Sequence, residues 1–368
     1  MGLRDIVGQE RALCILRGSI KKNRISHAYL FTGERGIGKR LTAINFAKTL
    51  NCLKRVTSYE LGVRRQNSEL RIGVPKKSQD FLGCTLDCCD KCPSCRKIDK
   101  AIHPDVLFIK PEGDGRQITI EVIRNMEEFL SYKSFEGGWK IVIIDSAEAL
   151  NPAAANSFLK TLEEPPPQSL LILISSMPEL IPDTIRSRCQ RINFSTLPPQ
   201  MIIELLKQNF KPSPGRKDLF GCLSNSTLML ISKLSSGRVA LALSEDLLER
   251  RERSLQGFKI LLGDIEATAW EDRASMEEWF EWAELWLRDI AVFTATGRAD
   301  LLINHDREEE IKEISRGVRL KDILTLSERL NGIKGLLRFN LNKELTFYYT
   351  GLLLKRALGR IDDSRCKI

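Results

Sequence analysis

The chain has 368 residues, a formal net charge of +9 and ten cysteines. This length predicts two or three domains, each with a core of its own, and the charge is compatible with a polyanionic partner. No apolar run approaches the roughly 20 residues of a membrane span, and residues 1–5 lack a signal-peptide pattern. We therefore expect a cytoplasmic protein and exclude an integral membrane protein.

The first predicted elements surround a glycine-rich segment. An apolar run over 28–31 predicts a buried strand, and 41–47 predict a helix after it. Between them stands Gly33-Glu34-Arg35-Gly36-Ile37-Gly38-Lys39-Arg40. It resembles the phosphate loop G-x-x-x-x-G-K-[ST], in which backbone N–H groups and the lysine hold phosphates while the hydroxyl holds Mg²⁺. Because Arg40 replaces that hydroxyl, the sequence leaves open whether ATP or ADP still binds. The predicted nucleotide-binding residues here are Gly33, Gly36, Gly38, Lys39 and Arg40.

A basic stretch and a cysteine cluster follow this helix. Residues 53–83 lack periodicity and predict an exposed, poorly ordered insertion. Five cysteines then lie within 84–95, and in a cytosolic chain such crowding indicates a metal site rather than disulfides. Three of them form C-x-x-C-x-x-C, which supplies three of the four thiolates of a structural zinc site: Cys89, Cys92 and Cys95. Three others are candidates for the fourth ligand: Cys52, Cys84 and Cys88.

Further apolar runs predict the strands 106–109, 140–145, 170–175 and 190–194. Their alternation with helices predicts a parallel sheet that is covered by helices on both faces. Asp145 ends one of these strands, where its carboxylate can hold Mg²⁺ through water. The next residue, Ser146, stands where an active ATPase of this kind has a glutamate, so that general-base help of about 10²–10⁴-fold is missing. Glu148 is an alternative base.

After residue 198 the strand patterns give way to helical periodicity. Breaks in the pattern predict boundaries near 196 and 250. In the last part, Trp279, Trp282 and Trp286 recur at i, i+3 and i+7. This spacing predicts a helix whose aromatic side packs in a core.

Two motifs resemble those of bacterial clamp-loader subunits of DNA polymerase III, which belong to the AAA+ class. They are L-K-T-L-E-E-P-P over 159–166 and Ser187-Arg188-Cys189, and the resemblance is strongest over 5–195. It implies an α/β AAA+ module with a parallel five-stranded sheet in 1–196, including a zinc module at about 52–95. A small helical lid in 197–250 and an all-α collar for oligomerisation in 251–368 are implied as well.

The resemblance also implies roles for individual residues. Arg188 would project as an arginine finger into the nucleotide site of a neighbouring subunit, where its guanidinium neutralises phosphate charge. Leu50-Asn51-Cys52 matches the family's first zinc ligand. The implied ligands are then Cys52, Cys89, Cys92 and Cys95. Two sites match nucleotide sensors of the family: Ser175 with Ser176, and Arg238.

Taken together, Arg40, Ser146 and the intact Ser187-Arg188-Cys189 predict a clamp-loader subunit that hydrolyses little or no ATP itself. Its implied partners are gamma/tau-type ATPase subunits, the delta subunit and, through them, the sliding clamp and primed DNA, in a hetero-oligomer. One alternative is a gamma/tau-type ATPase in which Glu148 or a water network replaces the missing groups. A second alternative is a zinc-bearing adaptor that binds DNA through 53–83, although Tyr59 and Phe81 are the only aromatic side chains available there for base stacking.

Overall fold

The computed structural model describes residues 1–54, 87–111, 117–209, 224–263, 270–337 and 341–359. The chain divides into two compact units. The first comprises Met1–Met201 with Gly237–Ala240, and the second comprises Ile202–Ser236 with Leu241–Ile368. Nearly all of the predicted insertion, together with Cys84, lies outside the described residues.

The first unit is built on a parallel sheet of five strands in the order β2-β3-β4-β1-β5. The strands are β1 Ala28–Thr32, β2 Val106–Ile109, β3 Lys140–Asp145, β4 Ser169–Ser175 and β5 Gln190–Asn193. Five parallel strands interleaved with helices confirm the predicted α/β fold with a parallel five-stranded sheet. The pairing register places Thr32 opposite both Ser175 and Asn193, so the carboxyl ends of three strands meet at one edge.

Helices cover both faces of this sheet because its strands are apolar on both sides. Tyr29 and Phe31 of β1 pack into one core with Phe46, while the intervening Leu30 packs into the other core with Phe158. Such near-continuous burial is typical of a parallel sheet. The helices of this part are α1 Glu10–Lys21, α2 Lys39–Asn51, α3 Pro93–Asp99, α4 Ile120–Ser131, α5 Pro152–Glu163 and α6 Asp183–Arg186.

The second unit is helical throughout its described residues. The later helices of the chain are α7 Pro199–Asn209, α8 Asn225–Leu234, α9 Val239–Ala242, α10 Leu247–Leu262, α11 Arg273–Thr296, α12 Glu308–Ser315, α13 Leu320–Leu336 and α14 Lys343–Ala357. The core interpretation of Trp279, Trp282 and Trp286 is confirmed, since all three are buried on α11. Helix α10 runs through residue 250. The division between lid and collar at that position stays a prediction.

Among the described residues, no helix combines the length and the apolar character needed to cross a membrane.

Candidate nucleotide site, arginine finger and metal centre

A tight glycine loop joins β1 to α2 at the carboxyl edge of the sheet. Gly33 has φ +136°, and a Cβ built on it would lie 2.6 Å from the Phe194 carbonyl oxygen. Gly38, which precedes the first residue of α2, has φ +98°. Both positions therefore require glycine. The strand, the loop and the helix together have the local architecture of a phosphate-binding loop.

Gln9 ties this loop to the end of the sheet, a role that the sequence did not reveal. Its amide Nε2 donates to the Ile37 carbonyl at 3.2 Å and to the Ser195 carbonyl at 2.7 Å, while its Oε1 accepts from the Ser195 N–H at 3.2 Å. The side chain is buried. The only sequence signal was its place directly before an amphipathic helix.

Lys39 is turned back onto its own loop. Its ammonium group donates to the carbonyl oxygens of Gly33 and Glu34, the latter at 2.5 Å. Burial lowers the pKa of this side chain, and the negative charges of Glu148 and Asp145 oppose that effect. The cation that a phosphate loop directs at phosphates is thus held by main-chain oxygens.

Arg40 faces the carboxylate that was predicted to hold magnesium. Its Nη1 lies 3.9 Å from Oδ2 of Asp145, the last residue of β3. The two side chains are separated by 105 residues in sequence and meet because α2 starts beside the carboxyl end of β3. A guanidinium is permanently charged. The guanidinium of Arg40 therefore faces the carboxylate of Asp145 at the distance of a long, partly exposed ion pair.

Glu148, two residues after Ser146, is held by one of the predicted sensor serines. Its Oε1 accepts hydrogen bonds from the Ser176 hydroxyl at 2.8 Å and from the Ser176 N–H at 3.3 Å. Its Oε2 is buried and has no hydrogen-bond partner among the described residues. The other predicted sensor, Ser175, is buried and accepts from the Met177 N–H at 3.1 Å.

The main chain around Arg238 lies beside the glycine loop. The Ala240 N–H donates to the Gly36 carbonyl at 2.9 Å, and a Cβ built on Gly36 would lie 3.6 Å from the Arg238 Cβ. Gly237 has φ +79°, and a Cβ there would lie 2.6 Å from the Leu197 carbonyl oxygen. The predicted second sensor therefore stands next to the phosphate loop, in the same compact unit.

Arg188 lies at the amino end of the parallel strands, whereas the glycine loop lies at their carboxyl end. It precedes β5 by two residues, whereas the loop follows the carboxyl end of β1, which is parallel to β5. The four residues of β5 alone span about 13 Å. The Arg188 Nη2 donates to Oε1 of Glu163 at 2.6 Å, and the Arg188 Nη1 donates to the Thr184 carbonyl at 2.9 Å. The side chain is 38% exposed.

Four cysteines come together at the end of α2 and the start of α3. Their Sγ atoms all lie within 4.8 Å of one another, and the set is the one that the family resemblance implied: Cys52, Cys89, Cys92 and Cys95. Cys52 directly follows α2, and Cys92 caps the N-terminus of α3 by accepting from the Cys95 N–H. The residues thus form a candidate metal site.

Main-chain hydrogen bonds reach these sulfur atoms, but the pKa values of their thiols shift in different directions. Burial raises the pKa of Cys52 to about 11, and a hydrogen bond with Cys88 raises the pKa of Cys95. The Cys89 N–H donates to the Cys52 Sγ at 3.3 Å, and the Cys92 N–H donates to the Cys89 Sγ at 3.3 Å. Burial opposes ionisation of Cys92, but hydrogen bonds from the N–H groups of Cys95 and Leu53 outweigh it, and the pKa of its thiol is lowered to about 7. Cys88 is not in the set, because its Sγ donates to the Asp90 carboxylate at 3.4 Å.

A buried lysine that the sequence did not single out fastens this site to α2. Lys48 is completely buried and pairs with the carboxylates of Asp90 and Asp99, the latter at 2.9 Å. It also donates to the Met1 carbonyl at 2.8 Å. Asp90 lies between two of the cysteines and Asp99 ends α3, so one cation joins α2 to both sides of the cysteine cluster.

Comparisons with known proteins point to one replication family. A family model described as DNA polymerase III, delta subunit, matches residues 8–69 and 78–198. The chain is 28% identical over 316 residues to DNA polymerase III subunit delta' of Bacillus subtilis, a match that covers 83% of each protein. It is 32% identical over 164 residues to subunit delta' of Pseudomonas aeruginosa, covering 45% of this chain and 42% of that protein.

Matches to the tau subunits are shorter than the match to the Bacillus subtilis delta' subunit. The chain is 32% identical over 199 residues to subunit tau of Bacillus subtilis, which covers 54% of this chain and 30% of that protein. A solved structure of a DNA polymerase III gamma subunit-related protein from Thermotoga maritima is 19% identical, with a TM-score of 0.44, and covers 93% of this chain and 99% of that one. Since the match to the delta' subunit extends over most of both chains and the match to tau does not, the chain belongs to the clamp-loader subunits of DNA polymerase III and is of the delta-prime type.

Proposed function

We propose that this subunit acts in clamp loading through a neighbour's nucleotide site and has little or no ATPase activity of its own. The observation that carries the proposal is the pairing of Arg40 with Asp145. It puts a fixed cation beside the carboxylate that would otherwise hold Mg²⁺, and metal ions supply much of the charge stabilisation in phosphoryl transfer. Ser146 adds no general base. The loop is then a static pocket that has lost two groups needed for hydrolysis.

The position of Arg188 supports action in trans. Its guanidinium lies at the edge of the sheet away from its own glycine loop and is partly exposed. Glu163 and the Thr184 carbonyl use two of its nitrogen atoms, so the remaining N–H groups are available to a phosphate of an adjacent subunit. An arginine finger of this kind contributes about 10³–10⁵-fold to the rate.

The proposed assembly is a hetero-oligomer with gamma/tau-type ATPase subunits and the delta subunit. ATP would bind in an adjacent ATPase subunit, Arg188 would complete that site, and hydrolysis after DNA binding would release the closed sliding clamp on primed DNA. The lid at 197–250 and the collar at 251–368 belong to this proposal, with the collar joining the subunits.

The four cysteines are proposed to hold a structural zinc ion. In a tetrahedral site with Zn–S bonds of about 2.3 Å the sulfur atoms are about 3.8 Å apart. The Cys52 and Cys92 sulfur atoms lie 3.9 Å apart, so the donor set and its spacing suit this ion. Zinc would cross-link α2 to α3. It would take no part in catalysis, since four thiolate ligands leave no open coordination position for a substrate or water. Elemental analysis of the purified chain tests this assignment.

The finger is tested in a reconstituted complex by Arg188→Ala. We expect DNA-stimulated ATP hydrolysis and clamp loading to fall at least about a hundredfold, because the transition-state charge of one site is left uncompensated. Arg188→Lys keeps the charge without the planar fork and should recover only part of the rate. Arg124→Ala, an exposed arginine of α4, is the matched control. If ATP hydrolysis by the complex is unchanged in Arg188→Ala, Arg188 is not an arginine finger.

A gamma/tau-type ATPase is the second candidate, and one observation favours it. Glu148 has a buried carboxylate oxygen without a partner among the described residues, close enough to Lys39 to affect its pKa. Multiple turnovers of ATP by the isolated chain, lost in Glu148→Gln, would establish this function in place of the first. The DNA adaptor based on 53–83 stays a prediction, since that stretch lies almost entirely outside the described residues.

A further inference from the structure

Residues next to the cysteines of the candidate metal site are hydrogen-bonded toward the loop of residues 132–139, which connects α4 to β3. Asn51, the residue before Cys52, provides the first connection: its Nδ2 donates to the Trp139 carbonyl at 2.9 Å, and its Oδ1 accepts from the Trp139 N–H at 2.8 Å. Gly138 leaves room for this amide, because a Cβ there would lie 2.5 Å from the Asn51 Oδ1. The two bonds fix one main-chain position of the loop.

A second connection starts from Ser94, which lies between Cys92 and Cys95. Its hydroxyl donates to the Asn51 carbonyl at 2.8 Å and lies 3.1 Å from Nε2 of His103. Nδ1 of His103 accepts from the Asp105 N–H at 3.0 Å, so the ring proton of the neutral imidazole is on Nε2. That proton is shared between Ser94 and the Glu136 carboxylate, whose Oε2 lies 3.2 Å away.

The loop itself is shaped by Asp105. This buried carboxylate accepts from the N–H groups of Phe135 at 2.7 Å and Glu136 at 2.8 Å, and from the Ser134 hydroxyl at 3.0 Å. Two aromatic side chains of the loop remain exposed to solvent: Phe135 is 84% exposed and Tyr132 is 63% exposed. The loop therefore presents two aromatic rings on a main chain that is held from inside.

We propose that metal occupancy of the four-cysteine site determines the order of the 132–139 loop and so the presentation of Tyr132 and Phe135. Asn51 ends α2 and Ser94 lies in α3, each next to a cysteine of the site, so the ion would cross-link the two helix ends that carry these bonds. Without the ion the four sulfur atoms are no longer held together, and both connections lose their fixed ends. The inference rests on the proposed metal site and goes beyond it, because it assigns to the ion an effect on a loop that contributes no ligand to the site.

Hydrogen–deuterium exchange on the full chain tests the coupling. The zinc-loaded protein is compared with protein treated with a chelator, and the amides of Phe135, Glu136 and Trp139 are followed. Removal of the ion should accelerate their exchange about tenfold, as expected when a hydrogen bond that resists local opening is lost. The amides of β4 and α11 serve as references and should change by less than about twofold. An equal acceleration in β4 would report unfolding of the whole unit and overturn the proposal.

Asn51→Ala tests the same coupling with the ion in place. This variant keeps all four cysteines, so its zinc content should equal that of the natural protein, while its loop amides exchange fast with or without chelator. Gly138→Ala should give the same result from the other side by displacing the Asn51 amide. Asn125→Ala, an exposed asparagine of α4, is the matched control and should behave like the natural chain.

The outcomes separate this inference from the proposed zinc. A chain that neither contains zinc nor takes it up overturns the metal assignment and the coupling with it. If the chain binds zinc in a one-to-one ratio, but neither removal of the ion nor Asn51→Ala changes the exchange rates of the 132–139 amides, only the coupling is overturned.

Discussion

Arg40 is the residue that most changes the chemistry of the glycine loop. A hydroxyl at this position helps to hold Mg²⁺, whereas a guanidinium carries a charge of the same sign and repels it. The structure pairs this side chain with Asp145 across the end of the sheet. Arg40 thus stands where the phosphate-loop pattern has a magnesium ligand, and it faces the carboxylate that was predicted to be another.

Arg40→Thr should restore magnesium-dependent nucleotide binding. We expect the affinity for MgATP to increase at least about tenfold, worth about 1.4 kcal/mol, because Asp145 is freed and a hydroxyl returns. A titration with a fluorescent ATP analogue, with and without Mg²⁺, measures the change. Arg35→Thr, an exposed arginine of the same loop, is the control. Equal affinities in both variants would mean that Arg40 does not close the site.

Helix α2 connects the two candidate sites at the scale of elements. It starts with Lys39 in the glycine loop and ends one residue before Cys52, a span of about 20 Å. Most of its residues are buried, including the cation of Lys48. The glycine loop and the cysteine cluster therefore stand at the two ends of one closely packed helix.

Lys48→Met should destabilise the cysteine module. Removing the cation takes a partner from both carboxylates and should cost about 2 kcal/mol, less than the roughly 3–5 kcal/mol of a fully buried pair, because Asp99 is half-exposed and Asp90 keeps Arg4 and the N-terminal amine as partners. Urea unfolding of the zinc-loaded chain measures the loss. Lys160→Met, at an exposed position of α5, should change stability by less than about 0.5 kcal/mol. A loss as small as that of the control would show that the pair contributes little.

For the molecule as a whole, α14 carries an apolar stripe that its own unit does not cover. Four side chains recur at i, i+3, i+4 and i+7 on this helix and are exposed: Leu345, Tyr348, Tyr349 and Leu352. Residues with this spacing share one helix face. The stripe lies in the part proposed as the collar, where an oligomerisation surface is expected.

Tyr348→Glu should therefore weaken assembly with gamma/tau-type subunits. Tyr348 is 72% exposed in the single chain, and burying a charge at the centre of an interface costs at least about 2 kcal/mol. Analytical ultracentrifugation of mixtures with the ATPase subunits gives the affinity. Ile102→Glu is the control, since this side chain is 66% exposed and lies in the first unit. Assembly weakened equally by both variants would argue against a specific role for α14.

The sequence by itself determined the elements and the motifs of this protein. The five predicted strands were found with ends within about a residue of those expected, as in β4 and β5, because apolar runs report burial on both faces of a parallel sheet locally. The glycine loop and the C-x-x-C-x-x-C motif could likewise be identified from the sequence, since each needs fixed residue types at short spacing.

Only the tertiary structure decided which distant residues meet. The pairing of Arg40 with Asp145, the selection of Cys52 over Cys88, and the bonds of Asn51 to Trp139 all join residues that lie far apart in sequence. Periodicity carries no information about such contacts, because they depend on strand order and on where each helix begins and ends. The parallel direction of β1 and β5 places Arg188, which precedes β5, at the opposite end of the strands from the glycine loop, which follows β1. This separation is the physical reason to propose that Arg188 acts in a neighbouring subunit.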